Sequence, residues 1–102
     1  FKIIYSFPKE KNKEIELFKK ELILAVNDLK NIELSSSIDV YDNSTTFVVL
    51  HGLKSFDGAK GLNIILEKNK NVTNDSSFVI SSENYQTVQI HKNLSVYLNN
   101  NL

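Results

Sequence analysis

The sequence predicts an α+β domain with the element order βαββαβ followed by two short helices. Two observations carry this reading. The first is a repeated half: residues 2–7 (KIIYSF) form an apolar strand that runs through Pro8 into a long helical pattern, and residues 46–66 (TFVVLHGLKSFDGAKGLNIIL) repeat the move. The second is that one further strand precedes the second half and another follows it. In its commonest arrangement such an order gives an antiparallel sheet of strand order 4-1-3-2 with both main helices on one face.

In the first strand Phe1, Ile3, Tyr5 and Phe7 alternate with Lys2, Ile4 and Ser6. Both sides are apolar at the centre, as suits an interior strand. Pro8 ends it, since proline cannot donate to a ladder. From about residue 9 to residue 30, Ile15, Phe18, Leu22, Ala25, Leu29 and Ile32 recur in steps of three and four, with Leu17, Leu24 and Val26 widening the stripe. The Lys and Glu residues of the opposite side form a solvated helix face.

Residues 33–42 (ELSSSIDVYD) form a strand whose three serines suit a sheet edge, and Asp42, Asn43 and Ser44 turn it back as a hairpin. Its partner, Phe47, Val48, Val49 and Leu50, is apolar throughout and stops at Gly52. Ser55 then caps a helix over residues 55–69 with Phe56, Ala59, Leu62, Ile65 and Leu66 on one face. A polar loop over residues 68–75 leads to a short strand at Phe78, Val79 and Ile80. Ser82 is a cap for a helix with Tyr85, Val88 and Gln89 inward, and Asn93 for another carrying Leu94, Tyr97 and Leu98. Because the first strand is apolar on both sides, these helices or a partner are expected to cover part of the face opposite the main helices.

Composition narrows the function. The 102 residues make one domain, 1–102, with 41% hydrophobic and 10% aromatic residues and 12 lysines against 12 acidic residues. A nucleic-acid or anionic-membrane binder would normally carry a positive excess, so neither partner is expected, nor is membrane insertion by this chain. Cysteine is absent, which removes disulfides, thiolate catalysis and the common zinc knuckles. Methionine is absent too, including at position 1, so the chain reads as a C-terminal piece of a longer protein. Every cation is lysine and asparagine is abundant, a bias that suits an AT-rich genome.

The chemical motifs all have plainer readings. Gly58-Ala59-Lys60-Gly61 has the GxxG spacing of a nucleic-acid clamp, but it follows a hairpin in a chain of no net charge. Small residues that bring a helix close to a sheet explain it better. His51 and His91 lie in different elements with no ligand cluster, and neither Asp39 with Asp42 nor Asp57 with Glu67 supports an acid–base pair. No catalytic fingerprint is present, so no enzyme, metal or cofactor is expected. Asn43, Asn71, Asn74 and Asn93 begin glycosylation sequons that an Asn-rich and Ser-rich chain produces by chance.

Two resemblances meet these residues. VVLHGLKSFDGAKGLNIIL resembles the second half of a SPOR domain, where a strand ends in Gly-Pro-Phe before an Ala-containing helix. Here Leu53 follows Gly52, and Tyr5-Ser6-Phe7 stands where Gly-x-Phe is usual. The ending, Phe78-Val79-Ile80-Ser81-Ser82-Glu83-Asn84-Tyr85 and then Asn93-Leu94-Ser95-Val96-Tyr97-Leu98, is similar to the C-terminal domain of Bacteroidetes tetratricopeptide-repeat lipoproteins of the SprE/PorW type. The fold these imply is ferredoxin-like or SPOR-like. The function they imply is a non-catalytic protein-interaction module of type IX secretion and gliding motility, periplasmic and held to the outer membrane by its parent protein. Its partners would be other subunits of that envelope complex, with peptidoglycan glycan as the alternative ligand. The candidate interface comprises Ile38, Val40 and Tyr41 on the edge strand together with Tyr5, Phe7, Tyr85 and Tyr97.

Overall fold

A computed structural model of the chain describes residues 1–28, 34–68 and 76–100. Leu29, Ile32 and Glu33, the loop over residues 69–75 and the sequons at Asn71 and Asn74 lie outside them. The element order is β1 (Lys2–Pro8), α1 (Asn12–Asp28), β2 (Ser35–Val40), β3 (Thr45–His51), α2 (Phe56–Glu67), β4 (Phe78–Ile80), α3 (Ser82–His91) and α4 (Leu94–Asn100). The strands form one antiparallel sheet of order β2-β3-β1-β4, the expected order read from its other edge and consistent with a ferredoxin-like arrangement. The two most apolar strands are central and the serine-rich strand is an edge.

Period-two alternation sends the two sides of each strand into two separate cores. On one side Ile3, Tyr5, Val48 and Leu50 pack with Ile15, Phe18, Leu22, Ala25 and Val26 of α1 and with Ala59, Leu62 and Leu66 of α2. On the other, Ile4, Phe47, Val49 and Ile80 pack with Tyr41 and with Tyr85 and Val88 of α3. Ile4, Phe47 and Val49 are fully buried, so the short C-terminal helices cover the second face. Full burial of each such side chain contributes roughly 1.5–3 kcal/mol, which is why a ten-residue helix of modest amphipathicity holds its place.

Several local readings need correction. In α1, Leu17 and Leu24 are 59% and 50% exposed, and in α2 Phe56 and Ile65 are 45% and 50% exposed, so each buried stripe is narrower than the apolar pattern. The cap of α3 is Ser81, whose Oγ accepts from the Asn84 amide, one residue before Ser82. Asn93 does not cap α4 through its side chain: its Oδ1 is buried without a hydrogen-bond partner. Instead the Leu94 amide donates to the Tyr41 hydroxyl at 3.0 Å. Ser55 does cap α2, accepting from Gly58. Of the GxxG residues only Ala59 meets the sheet-side core; a Cβ on Gly61 would touch nothing within 4 Å, so Gly61 does not serve close packing.

Candidate functional site

The face of the sheet under α3 carries a line of polar side chains. In antiparallel strands directly opposed residues share a face, so the register places Lys2 with Ile80, Ser37 with Val49 and Asp39 with Phe47 on the α3 side. His51 lies opposite Ser35 on that same side. Lys2 Nζ stands 2.8 Å from His51 Nδ1, His51 Nε2 is 2.7 Å from Ser37 Oγ, and Ser37 donates to Asp39 Oδ1 at 2.9 Å. From above, the Tyr85 hydroxyl donates to Asp39 Oδ2 at 2.6 Å and accepts from Gln89, whose Nε2 also reaches the Val40 carbonyl.

The direction of each bond follows from what each group can do. An ammonium only donates, so His51 Nδ1 accepts from Lys2 and the ring proton sits on Nε2. That N–H donates to Ser37 Oγ, leaving the serine proton for Asp39. Burial, and then the charge of Lys2, hold the His51 pKa below its ordinary value, while Asp39 opposes them. Ser37 beside a histidine thus has the polarity opposite to that of an activated nucleophile, which must give its proton to the ring. The array ties β1, β2 and β3 to α3.

This arrangement revises the expected interface. Tyr5 is 1% exposed inside the α1 and α2 core, where its hydroxyl finds no partner and burial pushes its pKa up. Tyr41 is buried, stacked on Phe47 with ring centroids 5.0 Å apart, and holds the start of α4. Tyr85 is buried over Phe47, and burial together with its bond to Asp39 raises its pKa. None of these three rings has free surface to bury against a partner. Phe7 is half-buried against Phe18, and Ile38 is half-buried against the same core. Tyr97 is half-buried beside a cavity of about 390 Å³ between α2 and α4, lined also by Phe56, Ile64 and Phe78. Val40, 60% exposed at the end of β2, is the expected interface residue with the most open surface.

Among the described residues no strand pairs with the outer edge of β2. The Tyr41 N–H donates to the Thr45 carbonyl, which fixes the alternation: residues 35, 37 and 39 bond to β3, whereas Ser36, Ile38 and Val40 turn their main-chain groups away from it. Among the described residues only the Val40 carbonyl has a partner on that side, Gln89 at 3.3 Å. The opposite edge offers less, since β4 has three residues, of which Phe78 and Ile80 face β1 and Val79 alone faces outward. Among the described residues no three His, Asp or Glu side chains converge as a metal site would require, and no helix is long and apolar enough to cross a membrane. No family model, curated protein or solved structure matches the chain.

Proposed function

We propose that this chain is a non-catalytic protein-interaction module whose working surface is the outer edge of β2, in a periplasmic, outer-membrane-associated component of type IX secretion and gliding motility. The observation that carries the interaction reading is the row of outward main-chain groups at Ser36, Ile38 and Val40, beside the exposed Val40 side chain. An edge of this kind binds by adding a strand: the ladder supplies affinity and alternate side chains supply selectivity. The assignment to a secretion component rests on the similarity of the ISSENY ending and the Lys- and Asn-rich composition. The finer SPOR-like reading of the fold rests on the strand-to-helix passage at Gly52. A glycan lying across the sheet would need the face that α3 occupies, so the edge is favoured over peptidoglycan.

The test is a pulldown from flavobacterial envelope extract beside sedimentation with purified peptidoglycan sacculi. Recovery of type IX translocon proteins, lost when Val40 is replaced by proline, is the expected result. Sedimentation with sacculi and no protein partner would overturn it.

A further inference from the structure

The outer edge of β2 is self-complementary, and the geometry points to a second copy of this chain as its occupant, two sheets joining through antiparallel β2 strands into one of eight strands. This rests on the reading of the β2 edge as the interaction surface.

The register is chosen by two conditions. A partner strand must present its own outward groups, which here means residues 36, 38 and 40 against residues 36, 38 and 40 of the second copy. A two-fold axis through Ile38 pairs Ile38 with Ile38, Ser36 with Val40 and Val40 with Ser36, so every outward N–H and C=O of the three residues meets a counterpart. The Val40 carbonyl keeps a lone pair for this beside its long bond to Gln89. A slip of one pair toward the hairpin would set Asp39 directly opposite Asp39, a like-charge pair that disfavours it. A slip the other way leaves Val40 opposite Leu34 and uses only two of the three.

With the axis at Ile38, Asp39 instead lies opposite the uncharged Ser37 on the α3 side, so no like charges face each other across the joint. On the α1 side Ile38 meets Ile38, and the exposed Val40 meets Ser36. With 12 lysines and 12 acidic residues the chain has no net charge, so two copies carry no overall repulsion. The strand carries few of the side chains that blunt an edge: residues 35–40 hold no lysine, no proline and one carboxylate, which is already bonded to Ser37 and Tyr85.

The chain has no cysteine, so single thiols can report the register. Sedimentation velocity over a hundredfold concentration range should show a monomer–dimer equilibrium. Ile38→Cys should then be joined to a covalent dimer by a short bis-maleimide. Ser35→Cys should not, since the axis separates the two thiols by six residues along the strands, roughly 20 Å. Val40→Pro removes an outward donor without removing a β2–β3 bond, and Val40→Lys adds an edge charge without touching the core. Each should weaken dimerisation at least tenfold while leaving the circular dichroism unchanged. A chain that stays monomeric throughout, or equal cross-linking from positions 35 and 38, overturns the proposal. If that monomer still captures envelope proteins and loses them with Val40→Pro, the edge reading stands and only the second copy falls. If the chain is monomeric and its capture is also insensitive to Val40→Pro, both fall.

Discussion

Replacing Tyr85 tests whether α3 is a fixed layer of the fold, because its ring and its hydroxyl make separable contributions. The hydroxyl donates to Asp39 at 2.6 Å, and a bond to a charged group contributes about 1.5–3 kcal/mol when its partner is left stranded. Asp39 would not be stranded: it keeps the Ser37 hydroxyl and is only half-buried, so water replaces part of the loss. Tyr85→Phe should therefore cost about 1 kcal/mol, and Asp39→Asn added to it should cost less than the sum of the two changes. The ring is a different matter. It is 8% exposed and packs over Phe47 with centroids 6.2 Å apart, in the layer that closes over Ile4 and Val49. Tyr85→Ala should cost about 3–5 kcal/mol, a large part of the 5–15 kcal/mol typical of a domain. Urea unfolding followed by far-UV circular dichroism at neutral pH measures both. A Tyr85→Ala loss below about 1 kcal/mol would refute a docked α3, and equal losses for Phe and Ala would refute the separation of ring from hydroxyl.

Tyr5→Phe should raise stability by about 1 kcal/mol, seen as a higher Tm, because the buried Tyr5 hydroxyl has no partner to lose. Gly61→Ala should stabilise by about 0.5–1 kcal/mol, since its Cβ enters open space in a helix interior. Gly58→Ala should fall short of it by about 1 kcal/mol, because its Cβ would stand 2.9 Å from the Ser55 Oγ that caps the helix. For His51 the folded pKa lies below the unfolded value, so the unfolded chain takes up a proton first as pH falls. Stability should decline from about pH 6.5 downward, levelling once the folded form also protonates, with a slope of at most about 1.4 kcal/mol per pH unit. Denaturant midpoints measured across that range should flatten in His51→Gln, and an unchanged slope would show that another group carries it.

The sheet was legible because its signals are local or periodic. Phe47 to Leu50 is apolar on both sides and must be central, while Ser35, Ser36 and Ser37 on neighbouring positions can only belong to an edge. The aromatic residues were harder, since a tyrosine on a strand looks the same whether its face is bare or roofed. Tyr41 and Tyr85 lose their surface to one another's layer around Phe47, and that depends on α3 folding back across the sheet. Stripe width failed for a different reason: α1 buries the row through Ile15, Phe18, Leu22 and Ala25, with Val26 beside it, while Leu17 and Leu24 lie off that row, and their apolar character alone made the stripe look wider than it is. The polar line has no local signal, because Lys2, Ser37, His51 and Tyr85 come from four elements and meet only through register. Once β1, β2 and β3 are aligned, alternation alone puts Lys2, Ser37 and His51 on one side, so the signal was present but conditional on the pairing. The same line bears on the edge. By holding the inner-facing side chains Ser37 and Asp39 to His51 and Tyr85, it fixes β2 against β3 and α3 and leaves the outward groups of Ser36 and Ile38 preorganised, which lowers the ordering cost of adding a strand there.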